Sequence, residues 1–414
     1  MNLITLPNGV RIVSDRMESV RSASLGIWVG AGSRCEKRGE GGSAHYIEHM
    51  LFKGTSRSSA AELAERMDAL GGQCNAFTSR ENTCYYARVL DSHLPRAVDI
   101  LTEMLFDSRF DPADMDNERG VIGEEIDMYA DTPEDVVTER LLSRCFSGAL
   151  GRPVLGTHKS LAGIDRAALT GFMHRCYRPD RLVISLAGSF TDADILRLTE
   201  TFSAMEPQRG RVWERSCYRP CLTAQRKATE QNHFCLAWEG LANGDDDRFT
   251  WQLLSQILGE GLSSRLFQTV REKNGLCYSI GSFTASYDET GLFGISTAVS
   301  RETEQRALSL VSGELTRLLQ DGVTDVELER TRELIKTNIF LAQESTVSRM
   351  NRLGSAILQL GCCRTPEEIA ERYDAITRED VLRLARQIIT ADTFSLSAVG
   401  RVENAESYRE LIKL

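Results

Sequence analysis

The chain holds six histidines in 414 residues, and two of them stand four apart in the stretch "GGSAHYIEHMLFKGTS", residues 41–56. Side chains at i and i+4 of an α-helix lie one above the other on the same face. At about 100° per residue, His45, Glu48, His49 and Phe52 fall within roughly 100° of one another, and Tyr46, Ile47, Met50 and Leu51 take the opposite face. One face is apolar and packs; the other carries two imidazoles and a carboxylate. Imidazoles at this spacing can point at a single ion, and the carboxylate directly before the second can reach a water on that ion. The pattern is HxxEH, the reverse of the commoner HExxH, and the chemistry it suits is metal-assisted hydrolysis of an amide.

A pair of this kind arises by chance in roughly one chain of this length in a hundred, and a structural histidine pair is satisfied by a carbonyl or an ion pair. Catalytic zinc takes three protein ligands and keeps an open position, so a third ligand separates the two readings. The stretch "DPADMDNERGVIGEEIDMYADTPED", residues 111–135, offers candidates: an Asp-Pro turn precedes a helical pattern that ends near Asp131-Thr-Pro. Glu118 and Glu125 lie two turns apart and share a face with Val121 and Ile122, whereas Glu124 sits about 120° from Glu118. Acidic residues on a helix more often form a solvated face, so periodicity by itself leaves both readings of these glutamates open.

The rest of the sequence must supply the frame. With 42% hydrophobic and 26% charged residues, it has the composition of a soluble globular protein with room for two or more cores. No apolar run reaches bilayer length. The opening "MNLITLPNGVRIVSD" reads as strand, Asn-Gly turn and strand rather than as a leader, so neither export nor membrane insertion is expected. Eleven scattered cysteines, with Cys362 and Cys363 adjacent and no CxxC pair, signal neither a disulfide framework nor a thiolate zinc site; a reducing cytoplasm is the expected location. A net charge of −10 argues against nucleic-acid binding and is compatible with cationic peptide ligands.

Helical and strand patterns alternate in both halves around a less periodic, proline-punctuated stretch. That places a first domain at 1–205, a linker at 206–232 and a second domain at 233–414. The halves are alike in outline: "LAERMDALGGQCNAFTSRENTCYYARVL" has a counterpart in "LFQTVREKNGLCYSIGSFTASYDETGLFGISTAV", with Cys74 matching Cys277 at an offset of 203 residues (277 less 74). Each copy reads helix, glycine turn, strand, strand, helix. The expected fold class is therefore α+β: two similar domains, each a mainly antiparallel sheet packed with helices.

With the motifs in view, the sequence resembles the pitrilysin family of inverzincin metallopeptidases, in its processing-peptidase-like branch related to the β subunit of mitochondrial processing peptidase. "AHYIEHMLFKGT" and the last glutamate of "ERGVIGEEI", Glu125, 80 residues beyond the first histidine, carry the likeness. It continues through "GGQCNAFTSRENTCYY", "LGRPVLGTHKSL", "YRPDRLVISLAGSF" and "LGEGLSSRLFQTVREKNGLCYSIGS". The resemblance implies one zinc ion per chain on His45, His49 and Glu125, with Glu48 as general base and Glu118 supporting the site. It implies that an edge strand containing Asn75, Ala76 and Phe77 takes the substrate peptide by backbone pairing. It implies that Arg271 and Tyr278 contact substrate near the scissile bond, Tyr278 as a donor to the developing oxyanion. Arg152 stands where many members have histidine.

"LGEGLSSRLF" resembles a glycine-rich substrate loop that the mitochondrial enzyme keeps on its noncatalytic subunit. Both features lie here on one chain, so a homodimer is expected in which each zinc domain faces the partner's second domain across a chamber. The expected function is that of a zinc metalloendopeptidase acting on extended peptides or presequence-like segments. The competing expectation is a noncatalytic structural or partner subunit of the same family.

Overall fold

The computed structural model describes residues 1–210 and 213–413. Arg211 and Val212, inside the expected linker, lie outside the described residues. The chain divides into two compact units, each α+β as expected. The first comprises residues 1–127, 152–214 and 341–363; the second comprises 128–151, 215–340 and 364–413.

The first unit holds a six-stranded sheet in the order β1-β2-β6-β3-β5-β4. Its strands are β1 (Asn2–Thr5), β2 (Arg11–Arg16), β3 (Ser22–Val29), β4 (Gln73–Thr78), β5 (Thr83–Leu90) and β6 (Leu182–Gly188). Every pairing is antiparallel except β2 with β6. The second unit holds a five-stranded sheet in the order β7-β11-β8-β10-β9. These strands are β7 (Leu222–Arg226), β8 (Asn232–Gly240), β9 (Cys277–Ser286), β10 (Gly291–Val299) and β11 (Ser395–Gly400). Here again one pairing, β11 with β7, is parallel. Matching β2 with β7, β6 with β11, β3 with β8, β5 with β10 and β4 with β9 superposes the two strand orders, and β1 is an addition at one edge. The paired hairpins β4–β5 and β9–β10 are the segments that the 203-residue offset aligned.

Both sheets bury both faces, so their central strands carry near-continuous apolar runs: all seven residues of β6 and all six of β11 are buried. One face of each sheet meets the helices that follow it in sequence. The other is covered by a helix from far along the chain. In the first unit that helix is Thr346–Leu360, whose Met350, Leu353 and Ile357 pack on Val13, Trp28, Val183 and Ala187. Gly354 lets it approach: a Cβ there would lie 2.1 Å from the Trp28 indole nitrogen. In the second unit it is Pro133–Cys145, whose Val137, Leu141 and Cys145 pack on Cys235, Ala237 and Val399.

These two helices change the domain boundaries. A single cut at 206–232 was expected, but residues 128–151 are compact with the second unit and 341–363 with the first. Nor is 206–232 a plain connector: Trp213 receives the Arg181 and Arg34 guanidinium groups on its ring within the first unit, and 222–226 form β7. The physical reason is that each sheet has a second apolar face to cover, and local hydrophobic pattern does not reveal which distant helix covers it.

Candidate metal centre

Helix Ser43–Leu51 carries the two histidines directly behind Gly41 and Gly42. Gly42 has φ +94°, and a Cβ there would meet the Leu155 carbonyl oxygen at 2.7 Å, so the helix entry demands glycine. A glycine cannot cap the helix with its side chain. Glu36 does so from a distance: its Oε1 accepts from the Gly42 and Ala44 amides at 3.1 and 3.0 Å. Glu36 is buried, and that burial pushes its carboxyl up to about 8.

The helix faces divide as periodicity requires. Tyr46, Ile47, Met50 and Leu51 are buried in the core, while His45, Glu48, His49 and Phe52 stay partly open. Helix Pro112–Asp131 is docked on this element by the Tyr46 hydroxyl, which donates to the Met115 carbonyl. Glu118 is buried, Glu125 is a third exposed and Glu124 is fully on the solvent side. Val121, expected beside Glu118 and Glu125, is instead 45% exposed, while Ile122 is buried. The helix leans on the core along a line through Met115, Glu118 and Ile122, which leaves Val121 outside it.

The result is a cluster. One ligand atom each from His45, His49 and Glu125 lies within 4.8 Å of the others. Glu125 Oε2 is 3.7 Å from the Nε2 of both His45 and His49. That exceeds a hydrogen bond, and ligands about 2.1 Å from a tetrahedral zinc ion stand about 3.4 Å apart, so the donor set fits zinc. Burial, then the neighbouring His49, pushes His45 down to about 4, which keeps its imidazole in the neutral form that binds metal.

Supporting contacts surround the three. Glu118 Oε2 meets His49 Nδ1 at 2.9 Å, and Glu118 Oε1 accepts from Lys53 Nζ at 2.7 Å. Burial works to raise the Glu118 carboxyl, but hydrogen bonds from Lys53 and His49 outweigh it and hold the group below the usual range. An ionised Glu118 fixes the His49 proton on Nδ1 and leaves Nε2 free to ligate. Glu48 accepts from the Thr78 hydroxyl at 2.5 Å; burial raises its carboxyl, which suits a proton acceptor. Lys53, Thr78 and Glu36 were not singled out from the sequence. Lys53 lies two residues beyond the end of the histidine helix, so helical spacing does not place it.

β4 is an edge strand, paired with β5 alone, and its residues alternate between exposed and half-buried. Asn75 is exposed, and its Oδ1 accepts from the Ala76 amide at 2.8 Å. Phe77 is 37% exposed, with its ring steeply inclined to that of Trp28 at 5.6 Å between centroids. Arg271 and Tyr278 belong to the second unit, where they meet each other: the guanidinium lies 5.0 Å from the ring centroid, and Tyr278 is 78% exposed. Arg152 donates to the Glu36 and Lys37 carbonyls at 2.9 and 2.8 Å, near the start of the histidine helix.

Residues 11–158 match the family described as Insulinase (Peptidase family M16), and residues 163–335 match the Peptidase M16 inactive domain. The chain belongs to peptidase family M16. Relatives in this family include an uncharacterized zinc protease of Bacillus subtilis, 41% identical over 97% of this chain and 99% of its own length. Another, from Streptomyces coelicolor, is 38% identical over 98% of this chain and 90% of its own. Among solved structures, a peptidase M16 inactive domain from Pseudomonas fluorescens aligns with a TM-score of 0.90 at 20% identity, covering 97% of this chain and 98% of that one. A protease from Helicobacter pylori aligns with a TM-score of 0.87 at 19% identity, covering 96% and 99%. These last two show the fold. The M16 assignment agrees with the pitrilysin-family resemblance and makes zinc the cofactor of the histidine and glutamate cluster.

Proposed function

We propose that this M16 protein is a zinc-dependent endopeptidase that hydrolyses extended, unstructured peptides, presequence-like segments among them. The observation that carries the reading is the convergence of His45, His49 and Glu125 with Glu48 on the same helix face. Zinc held by those three residues would supply a Lewis acid that brings the pKa of a water toward about 7 and polarises a peptide carbonyl. Glu48 takes the water's proton and delivers it to the leaving amine, with the Thr78 hydroxyl holding its second oxygen in place. Glu118, held ionised by its ion pair with Lys53, keeps His49 in the ligating tautomer.

The unpaired side of β4 offers backbone groups to an extended substrate, with Asn75, Ala76 and Phe77 along it. In a homodimer, Arg271 and Tyr278 of the partner's second unit complete each site, the Tyr278 hydroxyl donating to the carbonyl oxygen as it gains charge. The eleven scattered cysteines, with no CxxC pair, support a reducing cytoplasm as its location. Among the described residues no helix is long and apolar enough to cross a membrane.

Metal analysis of the purified protein, with cleavage of an unstructured peptide before and after chelation, tests the reading. One zinc per chain and chelator-sensitive cleavage restored by zinc support it. Zinc without cleavage of any unstructured peptide favours the noncatalytic role. The dimer is tested by mixing two impaired variants, Glu48→Gln and Tyr278→Phe. A mixed dimer holds one site with both groups intact, so activity partly returns; no return despite proven subunit exchange means that each site is built within one chain. A stably folded globular substrate should resist cleavage.

A further inference from the structure

Two cysteines that nothing in the sequence connects meet in the second unit. Cys145 ends helix Pro133–Cys145 and is fully buried; Cys221 stands just before β7 and is partly open to solvent. Their sulfurs are 3.5 Å apart across 76 residues of sequence. The backbones on both sides are pinned. Phe146 and Tyr218 form an antiparallel bridge, the Arg219 amide donates to the Cys145 carbonyl at 2.7 Å, and the Ser147 amide donates to the Cys217 carbonyl at 3.1 Å. From the start of β11, Ser395 Oγ accepts from the Cys221 amide at 3.0 Å and from the Tyr218 hydroxyl at 2.7 Å, and the Leu396 amide donates to the Cys221 carbonyl at 2.9 Å. The two sulfurs are therefore held facing each other by this bridge and the hydrogen bonds on fixed elements.

We propose that Cys145 and Cys221 form a dithiol site that takes a small disulfide as oxidant and closes to a reversible cross-link. The Cys221 thiol, the one open to solvent, exchanges with the small disulfide; a mixed disulfide forms at Cys221 and one small thiol leaves with a proton. Cys145 sulfur then attacks Cys221 sulfur, and the second small thiol leaves with the Cys145 proton. Two protein thiols lose two electrons, and one small disulfide becomes two thiols. The sulfurs must close from 3.5 Å to about 2.05 Å. While both are thiols, their mutual hydrogen bond draws the Cys145 thiol below its ordinary range and raises the Cys221 thiol; once Cys221 carries the small thiol that hydrogen bond is gone, and the closeness of the two sulfurs drives the second step. Cys35 and Cys176 interact in the first unit, but both are buried, so a small oxidant has no accessible sulfur there.

The cross-link ties the helix that covers β8 and β11 to β7 and closes a long loop, so the oxidised chain is the more stable one. The test uses the full chain equilibrated with excess oxidised glutathione, alkylated and mapped by peptide mass spectrometry. Cys145 and Cys221 become protected and joined to each other, distinct from any mixed disulfide with glutathione at the exposed Cys217 and Cys362, and dithiothreitol reverses it. The oxidised form melts several degrees higher than the reduced form, and Cys221→Ser, at a partly open position, abolishes both the bond and the difference. The proposal fails if Cys145 and Cys221 stay alkylatable in excess oxidant, including the case where another pair cross-links. It also fails if Cys221→Ser keeps the oxidant-dependent rise in melting temperature.

Discussion

In the first unit, β3 leads to the histidine helix Ser43–Leu51; in the second, β8 leads to helix Arg248–Gly259, at the matching place in the strand order. The first helix turns two imidazoles and a carboxylate toward the open side. The second buries Trp251, Leu254 and Leu258, and its Gln252 accepts from the Tyr373 hydroxyl. The segment "LGEGLSSRLF", which resembles a glycine-rich substrate loop, begins only at the end of this helix. The acidic helix has a counterpart as well. Where Pro112–Asp131 brings Glu118 and Glu125 to the cluster, Asp325–Leu341 buries Leu328, Thr331 and Ile335 and commits Glu327 to Arg265. One scaffold thus serves as a metal cradle in one copy and as packed core in the other, and a few side chains make the difference.

The largest effects test the chemical half of that comparison. Glu48→Gln should retain zinc and lower peptide hydrolysis by about 10² to 10⁴, since an amide cannot accept the proton. Gln252→Ala in the second unit should leave zinc content unchanged. Near-native turnover of Glu48→Gln would remove Glu48 from the mechanism.

The glutamates come next. Glu125→Gln should weaken zinc binding severely, and Glu124→Gln, on the solvent side, should leave it nearly intact. Glu118→Gln and Lys53→Met should each weaken zinc binding by roughly ten- to hundredfold, as changes to groups that orient a ligand do. Competition with a chelator of known affinity reads all four. Control of metal content by Glu124 instead of Glu125 would break the assignment of ligands.

A smaller pair of effects tests packing. Gly354→Ala drives a methyl into Trp28 in the first unit and should destabilise by about 1–3 kcal/mol in urea denaturation. Gly313→Ala lies in helix Glu304–Asp321 of the second unit, exposed and with open space around its Cβ, and should stabilise by about 0.5–1 kcal/mol. Equal signs for the two would contradict the close approach of helix Thr346–Leu360 to its sheet.

The smallest effects are opposite pH slopes from one buried and one half-buried carboxylate. Burial raises Glu36 in the folded chain to about 8, above its unfolded value, so its contribution is fully favourable below about 4.5 and is lost as pH rises toward 8. Glu327 runs the other way. Burial opposes ionisation there, but Arg265 and the Thr324 amide hold it at about 2, so its contribution is present above about 4.5 and is lost as pH falls toward 2. Glu36→Gln should therefore flatten the fall in stability on the alkaline side, and Glu327→Gln the fall on the acid side. Urea midpoints across pH 3 to 9 would show it, and a Glu36→Gln slope identical to wild type would show that Glu36 titrates normally.

Local pattern was enough for much of this. Helical periodicity assigned the open and buried faces of Ser43–Leu51, because position around a helix follows from residue number alone. Spacing separated Glu125 from Glu124 but misplaced Val121, because the width of a buried stripe depends on what packs against it. The aligned hairpins exposed the duplication, since both copies need a glycine turn before the same pair of strands. Lys53 on Glu118, Thr78 on Glu48 and Glu36 at the helix entry escaped notice.

By itself, then, the sequence determined which side chains share a face, that there are two α+β copies, and that one of them carries the metal-binding residue types. These follow from periodicities of 2 and 3.6 residues and from repetition, which are properties of neighbouring residues. The tertiary structure alone decided that helices Thr346–Leu360 and Pro133–Cys145 each cover a sheet far from them in sequence and that Cys145 faces Cys221, and it brought Glu125 to His45 and His49, a meeting that the family resemblance implied and periodicity left open. Each of these joins segments separated by tens to hundreds of residues, and what brings them together is the burial of whole sheet faces, a global condition that no local pattern encodes.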